Sequence, residues 1–179
     1  MQLAINFILF QIGWFACVVS AARQLEWLAL LSIGIIIAIH LFLIKNRVSE
    51  LQLILTTGMI GLILDSTLIT LGVFTPASDF GFPGIAPLWL VGMWMLFGIT
   101  LNHSLRWLHQ RYVIAALLGF VFAPLAYWAG QRLGALTFPS SHSAVASLMI
   151  IGGCWLLVTP LLLLTSRLLK RQTLRHNYS

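Results

Sequence analysis

The stretch LQLILTTGMIGLILDSTLITLG, residues 51–72, decides the fold class. It exceeds the ~20 mostly apolar residues that a helix needs to cross a bilayer, and it carries one charged side chain, Asp65. Its apolar character is continuous, whereas barrel strands alternate over about ten residues, so the stretch reads as a helix. Five further apolar runs flank it, at 3–22, 27–44, 87–105, 112–129 and 144–169. The sequence therefore predicts an all-α, polytopic transmembrane bundle of six spans, forming a single integral membrane domain over 1–179.

Composition points the same way. The chain is 60% hydrophobic and 8% charged, against about 45–50% and about 25% for soluble domains. Four acids cannot wrap a soluble surface. The ten bases are unevenly placed. Lys45, Arg47, Arg106, Arg111, Arg167, Lys170, Arg171 and Arg175 fall on one side of the six-span arrangement, and Arg23 and Arg132 on the other. By the positive-inside rule both termini are expected in the cytoplasm, with the loops 73–86 and 130–143 facing outward. The basic tail reads as a topology and anionic-lipid anchor rather than a nucleic-acid arm, so membrane lipids are the expected partners and nucleic acid is not. The first run lacks the basic leader and short apolar core of a signal peptide and reads as a retained span. Cys17 and Cys154 lie inside spans, out of metal-ligand spacing, which argues against a disulfide framework.

Asp65 is the one acid within a span, and a carboxylate at mid-membrane costs at least ~2.5–3.5 kcal/mol by insertion scales. It must therefore face protein or water. At ~100° per residue, Gly58, Gly61, Asp65 and Gly72 share one stripe, a face on which a neighbouring helix can approach closely. By depth at ~1.5 Å per residue, the Trp14 indole and the hydroxyls of Tyr127 and Ser147 are candidate donors to it. Two readings follow: an acid in a lipid- or solute-binding pocket, or a carboxyl that pins three helices together. On the first span Asn6, Phe10, Gly13, Trp14, Cys17 and Ser20 share a sector, with Gln11 outside it at mid-depth. Helix–helix hydrogen bonding is the commoner use of such amides, and ligand contact the other.

His40, Asn102 and His103 make a second polar cluster at the cytoplasmic end. A bis-His metal or haem site is geometrically open there, but without a spacing motif the residues read as interfacial anchors. No metal or cofactor is expected. Some ~15 Å of depth separates His103 from Asp65, which excludes a triad across them. Residues 139–144 (PSSHSA) are similar to the PSGHS element of the membrane phosphatidic-acid-phosphatase superfamily, with Ser141 in place of its Gly. The companion elements are absent, so a serine-rich N-cap opening the sixth span explains them. Pro124 and Pro160 fall within spans and are expected to kink them.

Five segments carry a family resemblance: NFILFQIGWF at 6–15, LDS at 64–66, APLW at 86–89, TLNHSL at 100–105, and Gly119 through Pro124 to Gly130. In this order they resemble an uncharacterised bacterial inner-membrane family, domain of unknown function 2878. The resemblance implies no established activity. It implies a location in the bacterial inner (plasma) membrane and, through gene neighbours similar to cyclopropane-fatty-acid synthases, a role in membrane lipid or fatty-acid modification or its stress response. Asp65 would then be the catalytic candidate, as acid, base or hydrogen-bonding partner. A small proton- or solute-coupled transporter and a structural subunit, with membrane-protein partners or as a homo-oligomer, are the alternatives. Whether the chain is an enzyme stays open at this point.

Overall fold

A computed structural model describes residues 2–78, 82–140 and 143–176. Ser141 and His142 of the 139–144 element lie outside the described residues, as does Asp79 in the loop 73–86. Six helices carry the fold: α1 (Gln2–Ala22), α2 (Glu26–Leu43), α3 (Arg47–Thr70), α4 (Leu88–Leu101), α5 (Tyr112–Arg132) and α6 (Ala144–His176). All but α4 are long and apolar enough to cross a membrane. Large apolar side chains stand outward on them, such as Phe42, Val113 and Leu157, each at least 70% exposed. Outward apolar surface on this scale needs lipid, because a soluble monomer rarely tolerates it. The protein is a helical membrane bundle.

The fourth helix departs from expectation. The apolar run 87–105 predicts a full span, but the helix ends at Leu101, and a short 3₁₀ turn, Arg106–Leu108, leads on to α5. Fourteen residues reach ~21 Å, short of a ~30 Å hydrocarbon core. The cause is local. The Leu105 N–H returns to the Thr100 carbonyl at 2.9 Å, and the polar side chains of Asn102 and Ser104 bond to other helices. A short helix is tolerated because α4 is the hub of the bundle, packed by α1, α2, α3 and α6 instead of lipid. Trp89, Leu96, Ile99 and Leu101 are completely buried there.

Small residues permit that packing. A Cβ on Gly61 would overlap the Trp94 ring, and one on Gly58 would press on Met95, so both glycines of the expected stripe do face α4. Gly72 does not belong to the stripe. It ends α3 at φ +69°, with the Val73 N–H closing on the Leu68 carbonyl at 2.9 Å. Gly134, at φ +87°, ends α5 in the same way, through Ala135 N–H to Gly130 O. Left-handed glycine caps stop both helices and turn the chain out. Two short strands, β1 (Thr75–Pro76) and β2 (Leu136–Thr137), then pair antiparallel. The loops 73–86 and 130–143 therefore share one end of the bundle, as the sequence predicts. Pro124 and Pro160 lie inside α5 and α6, where Gly119 lets the Thr159 side chain approach and Gly152 the Phe120 backbone. At the start of α6 the Ser143 hydroxyl accepts from the Ala146 N–H at 3.2 Å, the expected N-cap.

Candidate functional site

Two carboxylates on α3 organise the polar interior, one near each end of the helix. Asp65 stands nearer the β-ribbon. It is completely buried, and each oxygen accepts a hydrogen bond: Oδ1 from the Tyr127 hydroxyl at 2.5 Å and Oδ2 from the Trp94 indole N–H at 2.7 Å. One side chain thereby joins α3, α4 and α5. The Trp94 ring sits in the space left by Gly61, one turn before Asp65, and stacks on Trp155 of α6 at 4.4 Å and 21°. Phe74, just before β1, meets the Tyr127 ring edge-on at 5.2 Å. The carboxylate is thus held by neutral donors inside an aromatic wall, the arrangement that satisfies a costly buried acid.

Glu50 occupies the first turn of α3. His40 from the last turn of α2 places Nε2 3.4 Å from Glu50 Oε2, and His103 places Nε2 3.4 Å from Oε1. The two imidazole rings meet edge-to-face at 4.9 Å and 89°. The Asn102 amide donates to Glu50 Oε1 at 3.0 Å, and the Ser166 hydroxyl of α6 donates to the Asn102 carbonyl oxygen at 2.7 Å. His103 Nε2 is buried and makes no hydrogen bond of acceptable geometry.

Beside this cluster an open groove runs between the start of α1 and the segment after α4. Leu3, Ala4 and Phe7 form one wall; Ser104, Arg106 and Trp107 form the other, with His103 joining groove to cluster. Asn6 ties the walls together. Its amide donates to the Ile99 carbonyl at 2.9 Å, and its carbonyl oxygen accepts from the Ser104 hydroxyl at 2.8 Å. Arg111 lies 6.0 Å over the Trp107 ring. Further along the same end, the Arg167 guanidinium donates to the Tyr112 hydroxyl at 2.6 Å, and a His109 ring nitrogen lies 3.1 Å from the Leu101 carbonyl. Partial burial, then the cations Arg167, Lys170 and Arg106, push the His109 imidazole below its ordinary 6.5, against the opposing pull of that backbone contact.

Depth arithmetic thus locates Tyr127 correctly as a donor to Asp65. Trp14 is not one; it packs edge-on against Phe15 of its own helix at 5.0 Å. Ser147 is fully buried on α6, while the described donors to Asp65 are Tyr127 and Trp94. Gln11 is half-buried and bonds to none of the described side chains. His40, Asn102 and His103 do come together. Two participants escape a sequence reading. Trp94 lies on a helix whose rotation about α3 is invisible in one dimension, though Gly61 was a clue to a large neighbour. Glu50, in the first turn of α3, sits in no motif that would mark it, although it shares the depth of both histidines.

A family model described as protein of unknown function (DUF2878) matches residues 3–161. No curated protein and no solved structure matches the chain.

Proposed function

We propose a function from one premise: the chain belongs to the DUF2878 family of proteins of unknown function. Its chemistry is that of a membrane protein acting on membrane lipids, in the bacterial inner membrane, with the Glu50 end in the cytoplasmic leaflet. The observation that carries this reading is the groove beside α1. Leu3 and Phe7, both more than half exposed, give it an apolar wall suited to an acyl chain. Arg106 and Ser104 face them with hydrogen-bond donors suited to a lipid phosphate or ester. Trp107 marks the headgroup level, where indoles concentrate. The excess of Lys and Arg at this end favours the anionic cytoplasmic surface.

In this reading Asp65 holds the scaffold and the groove handles the lipid. The test compares total lipid profiles of cells lacking the protein with cells complemented by wild type or by Arg106→Glu. Arg106 is exposed and lies outside the six α-helices, so the variant should accumulate normally. Wild type should restore an altered profile and Arg106→Glu should not. Identical profiles in all three strains would overturn the lipid reading.

A further inference from the structure

We propose that His40, Glu50 and His103 bind one divalent transition-metal ion at the groove end of the bundle. Three donors, each from a different segment of the chain, bring one ligand atom apiece within 4.8 Å of one another. Their spacing is informative. Both nitrogen–oxygen distances are 3.4 Å, longer than the ~2.9 Å typical of an N–H···O bond. Two ligands sharing a tetrahedral ion with bonds of ~2.0–2.1 Å stand ~3.3 Å apart, so each imidazole is at coordination spacing from one oxygen of Glu50, His40 from Oε2 and His103 from Oε1.

Two further observations point to an ion. His103 Nε2 is buried with no well-formed hydrogen bond, although it is directed at Glu50. Behind the carboxylate, Ser166 fixes Asn102 and Asn102 fixes Glu50, an orienting relay of the kind that supports metal ligands. Two imidazoles and one carboxylate suit zinc, iron(II) or manganese, and without a thiolate they do not suit a soft monovalent ion. Three protein ligands leave coordination positions open, and His103 lines the groove. The alternative is a histidine–glutamate knot that only fastens α2, α3 and the segment after α4.

Metal binding is measurable without reference to lipid turnover, so this proposal stands or falls separately from the lipid reading. Tag-free protein in detergent, stripped with chelator, is titrated with Zn²⁺ by calorimetry and with Co²⁺ by visible absorption. Wild type should bind one ion per chain and develop ligand-field bands. His40→Gln and His103→Gln should lose both signals, Asn102→Ala should weaken binding by roughly 10–100-fold, and His109→Gln should behave as wild type. Should the ligand variants fail to accumulate, X-ray absorption of the Zn²⁺-loaded wild type decides, with imidazole scattering expected from two histidines. Binding that survives His103→Gln unchanged, no stoichiometric binding by wild type, or a shell lacking imidazole would each overturn the proposal.

Discussion

Asp65 and Glu50 are the same kind of group on the same helix, ~22 Å apart along its axis, and their surroundings differ in almost every respect. Asp65 receives an indole and a phenol and is completely buried. Glu50 faces two imidazoles and an amide beside an open groove. The first setting offers a carboxylate only neutral partners, which fix geometry. The second offers groups that exchange protons or bind cations, next to space where a ligand fits. The lone membrane-embedded acid, which cost alone would single out as the reactive group, is the better-satisfied of the two. Burial cost identifies a residue that must be paired; the identity of its partners tells what the pairing is for.

Removing the buried acid should have the largest effect. Asp65→Ala leaves the Tyr127 hydroxyl and the Trp94 N–H without an acceptor, at about 1–3 kcal/mol for each orphaned donor. Thermal unfolding in detergent should show a loss of that order. Gly61→Ala should fall in the same direction, because its methyl displaces the Trp94 ring that donates to Asp65. An Asp65→Ala protein as stable as wild type would dissolve the contrast between the two carboxylates. Tyr127→Phe removes one donor and keeps the other, so about 1–2 kcal/mol is expected by the same measurement.

Glu50→Gln should cost less, about 1 kcal/mol, since the amide retains an acceptor for Asn102. The smallest effect concerns pH. Burial holds the folded His109 imidazole below its ordinary 6.5. Its neutral form therefore favours the fold above that value, and the contribution is lost as pH falls below it. Thermal midpoints of wild type should drop between about pH 7 and pH 5 more than those of His109→Gln. Parallel profiles would place the pH-sensitive groups elsewhere.

The sequence made the helices legible because apolar length is a one-dimensional property. Five run close to the expected bounds, and the antiparallel β1–β2 pair places their connecting loops where the alternation of spans requires. The early end of α4 was hidden because Leu101 and Leu105 extend the apolar run. Only the positions of Asn6, Glu50 and Ser166 reveal that Asn102 and Ser104 have partners off the helix axis. The site was half legible for a related reason. Counting residues gives depth, which placed Tyr127 with Asp65 and His40 with His103. Depth gives no azimuth, so the expected indole beside Asp65 was Trp14, whereas Trp94 supplies it because α4 rather than α1 lies against that face of α3.

The central claim is that the groove between α1 and the segment after α4 receives a membrane lipid. Photo-crosslinking with a phospholipid bearing a reactive acyl chain, followed by peptide mapping, tests it most directly. Labelling should concentrate at Leu3, Ala4, Phe7 and Trp107, and should fall sharply in Arg106→Glu. Labelling spread evenly over the exposed apolar faces of all the helices, and indifferent to Arg106, would contradict it.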